Sequence, residues 1–434
     1  MEADLEQLLR RYNPWLWSKD TWPDSWALRM PEHFVPRLPV NWTGAFPANK
    51  VTLVIGPRQS GKSTFLWSEL RDVGPDVVLV NCEEPLFRTW CRSPAEVLGQ
   101  IAELAPRPRA MLFEEVQHLD EAGLFLKGLV DLRPGCPVLV TGSSSFHLTA
   151  KTRESLAGRA QRLRMLPFSL REMSFDLVDL PPAVRAYRQA ERLQRMLIYG
   201  SYPEAWLSDD PSGVLASLLE GVIVKDASDL FRIDHPEAYR KLLKLMASQI
   251  GNLVNLAEWA ALCGVSSKTV RRYASILEEA HVVSLLRPWV SGKRAELTGT
   301  PKVYFCDNGI RNAALARFHA HDRRNDLGAL WENWAFAEIQ KSIRPLLDGC
   351  GFWRTRSGAE VDFVVETGGR LLAVEVKAGV DHRRRVGRAA RSFIEAIGPD
   401  LFVMLHAGER FERELLGCRI VWIGPAELAS LLGR

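Results

Sequence analysis

The residues best placed to do chemistry open with Gly56-Pro57-Arg58-Gln59-Ser60-Gly61-Lys62-Ser63-Thr64, a G-x-x-x-x-G-K-[ST] pattern that cradles phosphates. Gly56 and Gly61 let successive backbone NH groups turn inward with no side chain in the way. Lys62 then reaches the β and γ oxygens as a point charge, and Ser63 can hold Mg2+. The pattern reads as a site for ATP with Mg2+. Further along, Met111-Leu-Phe-Glu114-Glu115-Val-Gln117 is an apolar strand ending in two acids. A separate constellation lies at Gly358-Ala-Glu360-Val-Asp362 and Leu372-Ala-Val-Glu375-Val-Lys377. Strand alternation puts Glu360 and Asp362 on one face and Glu375 and Lys377 on one face, with Val374 and Val376 on the other. A hairpin through Gly368-Gly369 then gathers three carboxylates and one ammonium.

Elements must hold these groups. Val51 to Ile55 is short, apolar and β-branched, while Thr64 to Leu70 carries apolar residues at helical spacing, so a strand feeds the loop and a helix leaves it. The helix N-terminus adds partial positive charge beneath the phosphates. Apolar strands recur at Val77 to Val80, Ala110 to Phe113, Val138 to Thr141 and Gln161 to Leu166, the signature of a parallel sheet covered on both faces. The fourth ends in Thr141-Gly-Ser143-Ser-Ser, where a hydroxyl such as Ser143 could sense the γ-phosphate. Arg159, behind Gly158, is a candidate finger reaching into a neighbouring copy's nucleotide, with a structural salt bridge as the alternative. Before the sheet, Trp15, Trp17, Trp22, Trp26 and Trp42 alternate with prolines. This segment cannot form one long helix and is expected to pack as an irregular clasp over the next domain. After it, Leu256 to Leu277 reads as two helices about a Gly264 turn, the second capped by Ser266 or Ser267. Strands at His281 to Leu286 and Lys302 to Phe305 bracket the basic Ser291-Gly-Lys-Arg294, which looks like a winged helix-turn-helix. Its second helix would offer Lys268, Arg271 and Arg272 to DNA, with a packing or oligomerisation module as the alternative.

In order along the chain, G-P-R-Q-x-G-K-[ST], L-F-[DE]-E-[VI]-Q, T-G-S-S-S, L-A-G-R and Tyr199-Gly-Ser-Tyr-Pro203-Glu204 resemble a prokaryotic family of AAA-type P-loop ATPases with a C-terminal domain of unknown function. The resemblance implies that Glu114 organises magnesium and Glu115 orients the attacking water, with Glu114 standing where the family usually has Asp. It also implies a helical lid and a homo-oligomer, with a hexameric ring as the candidate form. The acid and lysine cluster is similar to the D…E-x-K core of PD-(D/E)XK nucleases, whose acids hold Mg2+ or Mn2+ and whose lysine orients water. Glu332, on the helix through Leu330-Trp-Glu-Asn-Trp, would supply a further acid. Cleavage and mere grip of DNA both fit this set. Arg383, Arg384, Arg385, Arg388 and Arg391 follow and could contact phosphates.

The expected fold is α/β and multi-domain. Residues 1–44 form a Trp/Pro-rich arm, 45–165 an AAA-type ATPase core, 166–232 a helical lid, 233–310 a winged helix and 311–434 a restriction-endonuclease-like α/β domain. A chain of 434 residues exceeds one core. No apolar run reaches the length a membrane helix needs, and the acidic Met1-Glu-Ala-Asp start is no secretion signal, so a cytoplasmic protein is expected. The 7 cysteines (Cys82, Cys91, Cys136, Cys263, Cys306, Cys350, Cys418) contain no C-x-x-C pair and read as apolar residues. A net charge of +4 is too mild to argue for nucleic acid alone. The expected activity is Mg2+-dependent ATP hydrolysis coupled to binding or remodelling of DNA, with branched or forked DNA suggested by likeness to branch-migration motors. Two alternatives stand beside it: a nucleotide switch acting on a protein partner, and an ATP-gated nuclease with a second Mg2+ or Mn2+.

Overall fold

The computed structural model describes residues 3–40, 42–142, 156–221, 233–289, 299–345 and 347–433. The chain divides into two compact units, Met1–Leu166 and Pro167–Arg434. In the first, strands β1 (Val51–Ile55), β2 (Val77–Asn81), β3 (Ala110–Glu114), β4 (Val138–Gly142) and β5 (Ala160–Arg164) make one sheet in the order β2-β3-β4-β1-β5, every pairing parallel. Alternate residues feed two cores: Val51, Leu53, Met111 and Phe113 pack on one face, and Val54, Leu79, Leu112 and Leu139 on the other. Double burial is why these strands read as unbroken apolar runs. Strand β5 departs from that pattern and ends at Arg164, since it is an edge strand with only Leu163 fully buried.

The Trp-rich arm begins with the helix Ala3–Tyr12, followed by short helical turns. It solves the problem of the open edge at β2. Asn13 accepts from Leu79 N at 2.6 Å and donates to Leu79 O at 2.9 Å, and the Trp15 indole donates to Val77 O at 2.8 Å. Unpaired strand groups are thus taken by side chains. Trp15 then meets Trp22 edge-on at 5.2 Å and Trp67, from the helix after the phosphate loop, at 6.0 Å.

In the second unit, helices Pro182–Tyr199, Pro203–Leu207, Pro211–Gly221 and Pro236–Ser248 precede a helix pair, Leu256–Cys263 and Ser267–Glu279. The pair turns through Gly264 at φ +68°, and Ser266 accepts from Thr269 N to cap the second helix. Strands β6 (Val283–Leu286) and β7 (Lys302–Phe305) form an antiparallel pair; the connecting Ser291-Gly-Lys-Arg294 lies outside the described residues. Next come helix Leu327–Ser342 and a six-stranded sheet ordered β12-β13-β11-β10-β9-β8. These strands are β8 (Gly349–Arg354), β9 (Glu360–Thr367), β10 (Arg370–Val376), β11 (Leu401–Leu405), β12 (Phe411–Leu415) and β13 (Cys418–Ile423). Leu330 and Phe336 of helix Leu327–Ser342 join the core that includes Phe363, Leu372 and Val374, while Phe393 of helix Arg388–Ile397 joins the one that includes Val364 and Ala373. The Tyr199–Glu204 word has a structural explanation. Asp307, fully buried, accepts from Ser201 N at 2.7 Å, and a Cβ on Gly200 would stand 1.9 Å from its carboxylate.

Candidate functional site

The phosphate loop runs from the end of β1 to the helix Lys62–Leu70. Gly56 has no room for a side chain, because a Cβ there would sit 1.9 Å from Met165 O beside β5. Gln59 and Gly61 take positive φ, at +55° and +87°, so the loop curls back toward its own strand. Ser60 Oγ donates to Pro57 O at 2.9 Å. Lys62, 5% exposed, donates to Pro57 O at 2.6 Å and Gly56 O at 3.2 Å, which sets its ammonium across the loop. Arg58 is half-buried and Gln59 exposed, and Ser63 and Thr64 are half-buried in the first turn of the helix.

Glu114 ends β3, and the fold brings it to the loop. Burial pushes its carboxyl above the ordinary value; a bond from Ser63 opposes this, the Glu115 charge adds to it, and a bond from Trp67 and the charge of Arg29 oppose it. Its Oε1 is buried without a hydrogen-bond partner. A carboxylate with an orphaned oxygen beside a serine hydroxyl is an all-oxygen donor set that suits Mg2+. Glu114 and Ser63 therefore fit that ion, and Lys62 fits the phosphates it would accompany. The longer acid in place of Asp is thus in contact with the loop.

Glu115 follows at φ +54°, a left-handed turn that aims it away from the strand. Its NH donates to Thr141 Oγ1 at 3.1 Å, and its carboxylate accepts from Gln117 Nε2. Ser143 lies outside the described residues. Arg159 does not join the loop of its own chain. It precedes β5 at the opposite end of the sheet, a five-residue strand or roughly 17 Å away, and pairs with Asp131 at 2.7 Å. Among the described residues, Glu83, Glu115 and His118 also hold one ligand atom each within 4.8 Å of one another.

Four supporting roles escaped the sequence reading. Thr141 and Gln117 are ordinary polar residues whose role appears only when β3 and β4 lie close. Arg37 of the arm, 8% exposed, donates to Ser60 O and to Leu166 O, both at 2.5 Å, and so ties the arm to the loop backbone. Arg29 lies over the Trp15 and Trp67 rings at 5.0 and 4.8 Å. No motif marks an arginine that reaches across so many residues.

In the second unit the hairpin forms at Gly368 and Gly369, both with positive φ, and the acids gather. Strict alternation fails in β9, however. Gly351 faces Val364 and Trp353 faces Val361, so a bulge sets Asp362 and Phe363 against Phe352 alone, between Glu360 and the rest of the strand. Glu360 accepts from Arg354 at 2.9 Å and from Lys302; Glu332 accepts from Lys302 at 3.3 Å and from the Tyr304 hydroxyl at 2.5 Å. Asp362 accepts from Val376 N at 2.8 Å. Burial and then the Glu332 charge push its carboxyl up to about 8, against the Val376 bond and the Lys302 charge. Lys377 contacts Glu375 at 2.5 Å; burial pushes its ammonium down, and the bond and charge of Glu375 outweigh that and leave it raised. Lys302 was not singled out in the sequence. With its ammonium between Glu332 and Glu360, these residues do not fit a bridging divalent ion, and among the described residues they bring no three ligand atoms within reach of one metal.

On the helix Ser267–Glu279, Lys268, Arg271 and Arg272 are exposed on the face opposite the buried Val270, Tyr273, Ala274 and Leu277. Arg272 pairs with Asp234 at 2.9 Å.

Residues 190–321 and 327–421 match two family models, each described as a domain of unknown function (DUF8612 and DUF4143). An uncharacterized protein of Mycobacterium tuberculosis and one of Mycobacterium bovis are each 28% identical over 338 residues, covering 75% of this chain and 70% of theirs. Among solved structures, the Walker-type ATPase PABY2304 of Pyrococcus abyssi is similar at TM-score 0.38 and 16% identity, covering 61% of this chain and 91% of that one. The RuvB Holliday junction branch migration motor of Thermotoga maritima aligns at TM-score 0.26 and 17% identity, over 54% and 82%. No helix among the described residues is long and apolar enough to cross a membrane. Residues 48–174 match the family model described as an AAA domain, and with the loop, Glu114 and the parallel sheet they form an AAA-type P-loop ATPase core.

Proposed function

We propose that this chain is an ATP-hydrolysing protein that binds or remodels DNA, with branched or forked DNA as the candidate substrate. The observation that carries the reading is the meeting of Ser63, the neighbour of Lys62 in the loop, with Glu114, whose buried Oε1 has no hydrogen-bond partner. Lys62 and the loop NH groups from Gly56 to Thr64 would bind the phosphates, Ser63 and Glu114 would hold Mg2+, and Glu115, steadied by Thr141, would orient water. Lys268, Arg271 and Arg272 supply the DNA contacts, on the second helix of a helix pair followed by a β-hairpin, as in a winged helix. Ring assembly, up to a hexamer, belongs to the same proposal: Arg159, with its side chain 40% exposed, would exchange Asp131 for a neighbour's nucleotide. Free thiols at all 7 cysteines accord with a cytoplasmic setting.

The test is ATP turnover measured with single-stranded, duplex and four-way DNA. Lys62→Ala is expected to lose nucleotide affinity, and Glu115→Gln to bind ATP without turning it over. Replacing Lys268, Arg271 and Arg272 by alanine should remove DNA stimulation and flatten the salt dependence of DNA binding by up to about 3 log units per decade of salt. Equal turnover with every DNA form, together with no binding of any, would sink the proposal. A second reading, a nucleotide switch acting on a protein partner, is favoured by the Gln117 bond that engages the Glu115 carboxylate. It calls for ATP binding with negligible turnover whatever DNA is present.

A further inference from the structure

The acid cluster of the second unit contains a cation of its own. Lys302 begins β7, in a different sheet from Glu360, and it is 2% exposed. Its ammonium contacts Oε1 of Glu332 at 3.3 Å and Oε1 of Glu360. The remaining oxygen of Glu360 takes Arg354 at 2.9 Å, and the Tyr304 hydroxyl shares Oε1 of Glu332 at 2.5 Å. The Phe352 ring lies under the ammonium at 5.4 Å. Both carboxylates are therefore bridged by one buried positive charge and braced by further donors.

A divalent ion bridging the same two acids would need their oxygens at about 2.0 to 2.6 Å and would fall in the volume that this ammonium occupies. The two cations would also repel at close range in a place with little water to screen them. We propose that Lys302 is an internal counter-ion that takes the place of a divalent metal between Glu332 and Glu360, so that the cluster is a locked metal site. The lock is a strand from a neighbouring sheet, so the cluster fastens the β6–β7 pair to the C-terminal sheet. This goes beyond the ATPase and DNA reading and does not depend on it.

The experiment uses the full chain without nucleotide and Mn2+ itself as the probe, with bound ion counted by electron paramagnetic resonance. Wild type and Glu360→Gln should bind the same number of Mn2+ ions, because Glu360 offers no metal site while Lys302 is present. Lys302→Met should bind one more ion per chain than wild type. That extra ion should vanish in the double variant Lys302→Met/Glu360→Gln. Any Mn2+ bound by wild type and lost in Glu360→Gln overturns the proposal, and so does a folded Lys302→Met that gains no ion. Should Lys302→Met fail to fold, the pair of wild type and Glu360→Gln decides alone: equal counts support the lock, unequal counts overturn it. Sites at the phosphate loop are common to all variants and cancel in the comparison.

Discussion

Asp362 sits under two pressures that act in one direction. Burial, and after it the negative charge of Glu332, raise its carboxyl to about 8, while an unfolded aspartate titrates near ~3.9. The folded chain therefore holds a proton that the unfolded chain releases. The stabilisation linked to that proton is complete below about pH 4 and is lost as pH rises through about 8. Denaturant midpoints of wild type are expected to fall between roughly pH 5 and pH 8.5, and Asp362→Asn, which keeps the acceptor for Val376 N but cannot ionise, should remove most of that fall. An unchanged slope in the asparagine variant would assign the proton to another group. The Lys302 charge and the Val376 NH pull against this rise without cancelling it, the ammonium making its contacts with Glu332 and Glu360.

Among the elements, the arm contributes more than its irregular sequence suggests. Trp15 is fully buried, meets Trp22 and Trp67 edge-on, and bonds the edge strand β2 through its indole. Trp15→Ala should cost about 3 to 5 kcal/mol, read as a loss in the denaturation of the nucleotide-binding unit. A loss under about 1 kcal/mol would make the arm a loose attachment. Strands β1 to β4 of the first sheet were legible in the sequence because burial on both faces leaves an unbroken apolar run, whereas the polar edge strand β5 ends earlier than its sequence suggests. The loop was legible because its glycines answer a steric demand, which at Gly56 comes from Met165 O. The arm's edge-capping Asn13 and its Arg37 latch were not, since each is a single polar residue whose partner is set by tertiary approach. The β9 bulge was hidden for a related reason. Alternation assumes a regular ladder, and the extra residue at Asp362 and Phe363 shows only against β8.

At the scale of the whole molecule, the nucleotide residues lie in Met1–Leu166 and the basic helix face in Pro167–Arg434, so an ATP-driven action on DNA requires free energy to pass between the units. The chain's net charge does not supply that link, because 56 basic against 52 acidic residues nearly cancel and attraction to phosphates falls to local rows such as Lys268, Arg271 and Arg272. Linkage makes the requirement measurable. If Mg-ATP changes DNA affinity by some factor, DNA must change ATP affinity by the same factor, and couplings of this kind run from about 5-fold to about 150-fold. Glu115→Gln is the suitable protein, since ATP should persist while both equilibria are measured. Four-way DNA affinity with and without Mg-ATP, and ATP affinity with and without that DNA, should shift by equal factors of at least about 5. Alanine at Lys268, Arg271 and Arg272 should weaken DNA binding and leave ATP affinity without DNA unchanged, because those side chains lie on the exposed face of a helix outside the nucleotide unit. Factors of one, with both ligands bound, would mean that the two sites act independently and would leave the protein-directed switch as the better account of the ATPase core.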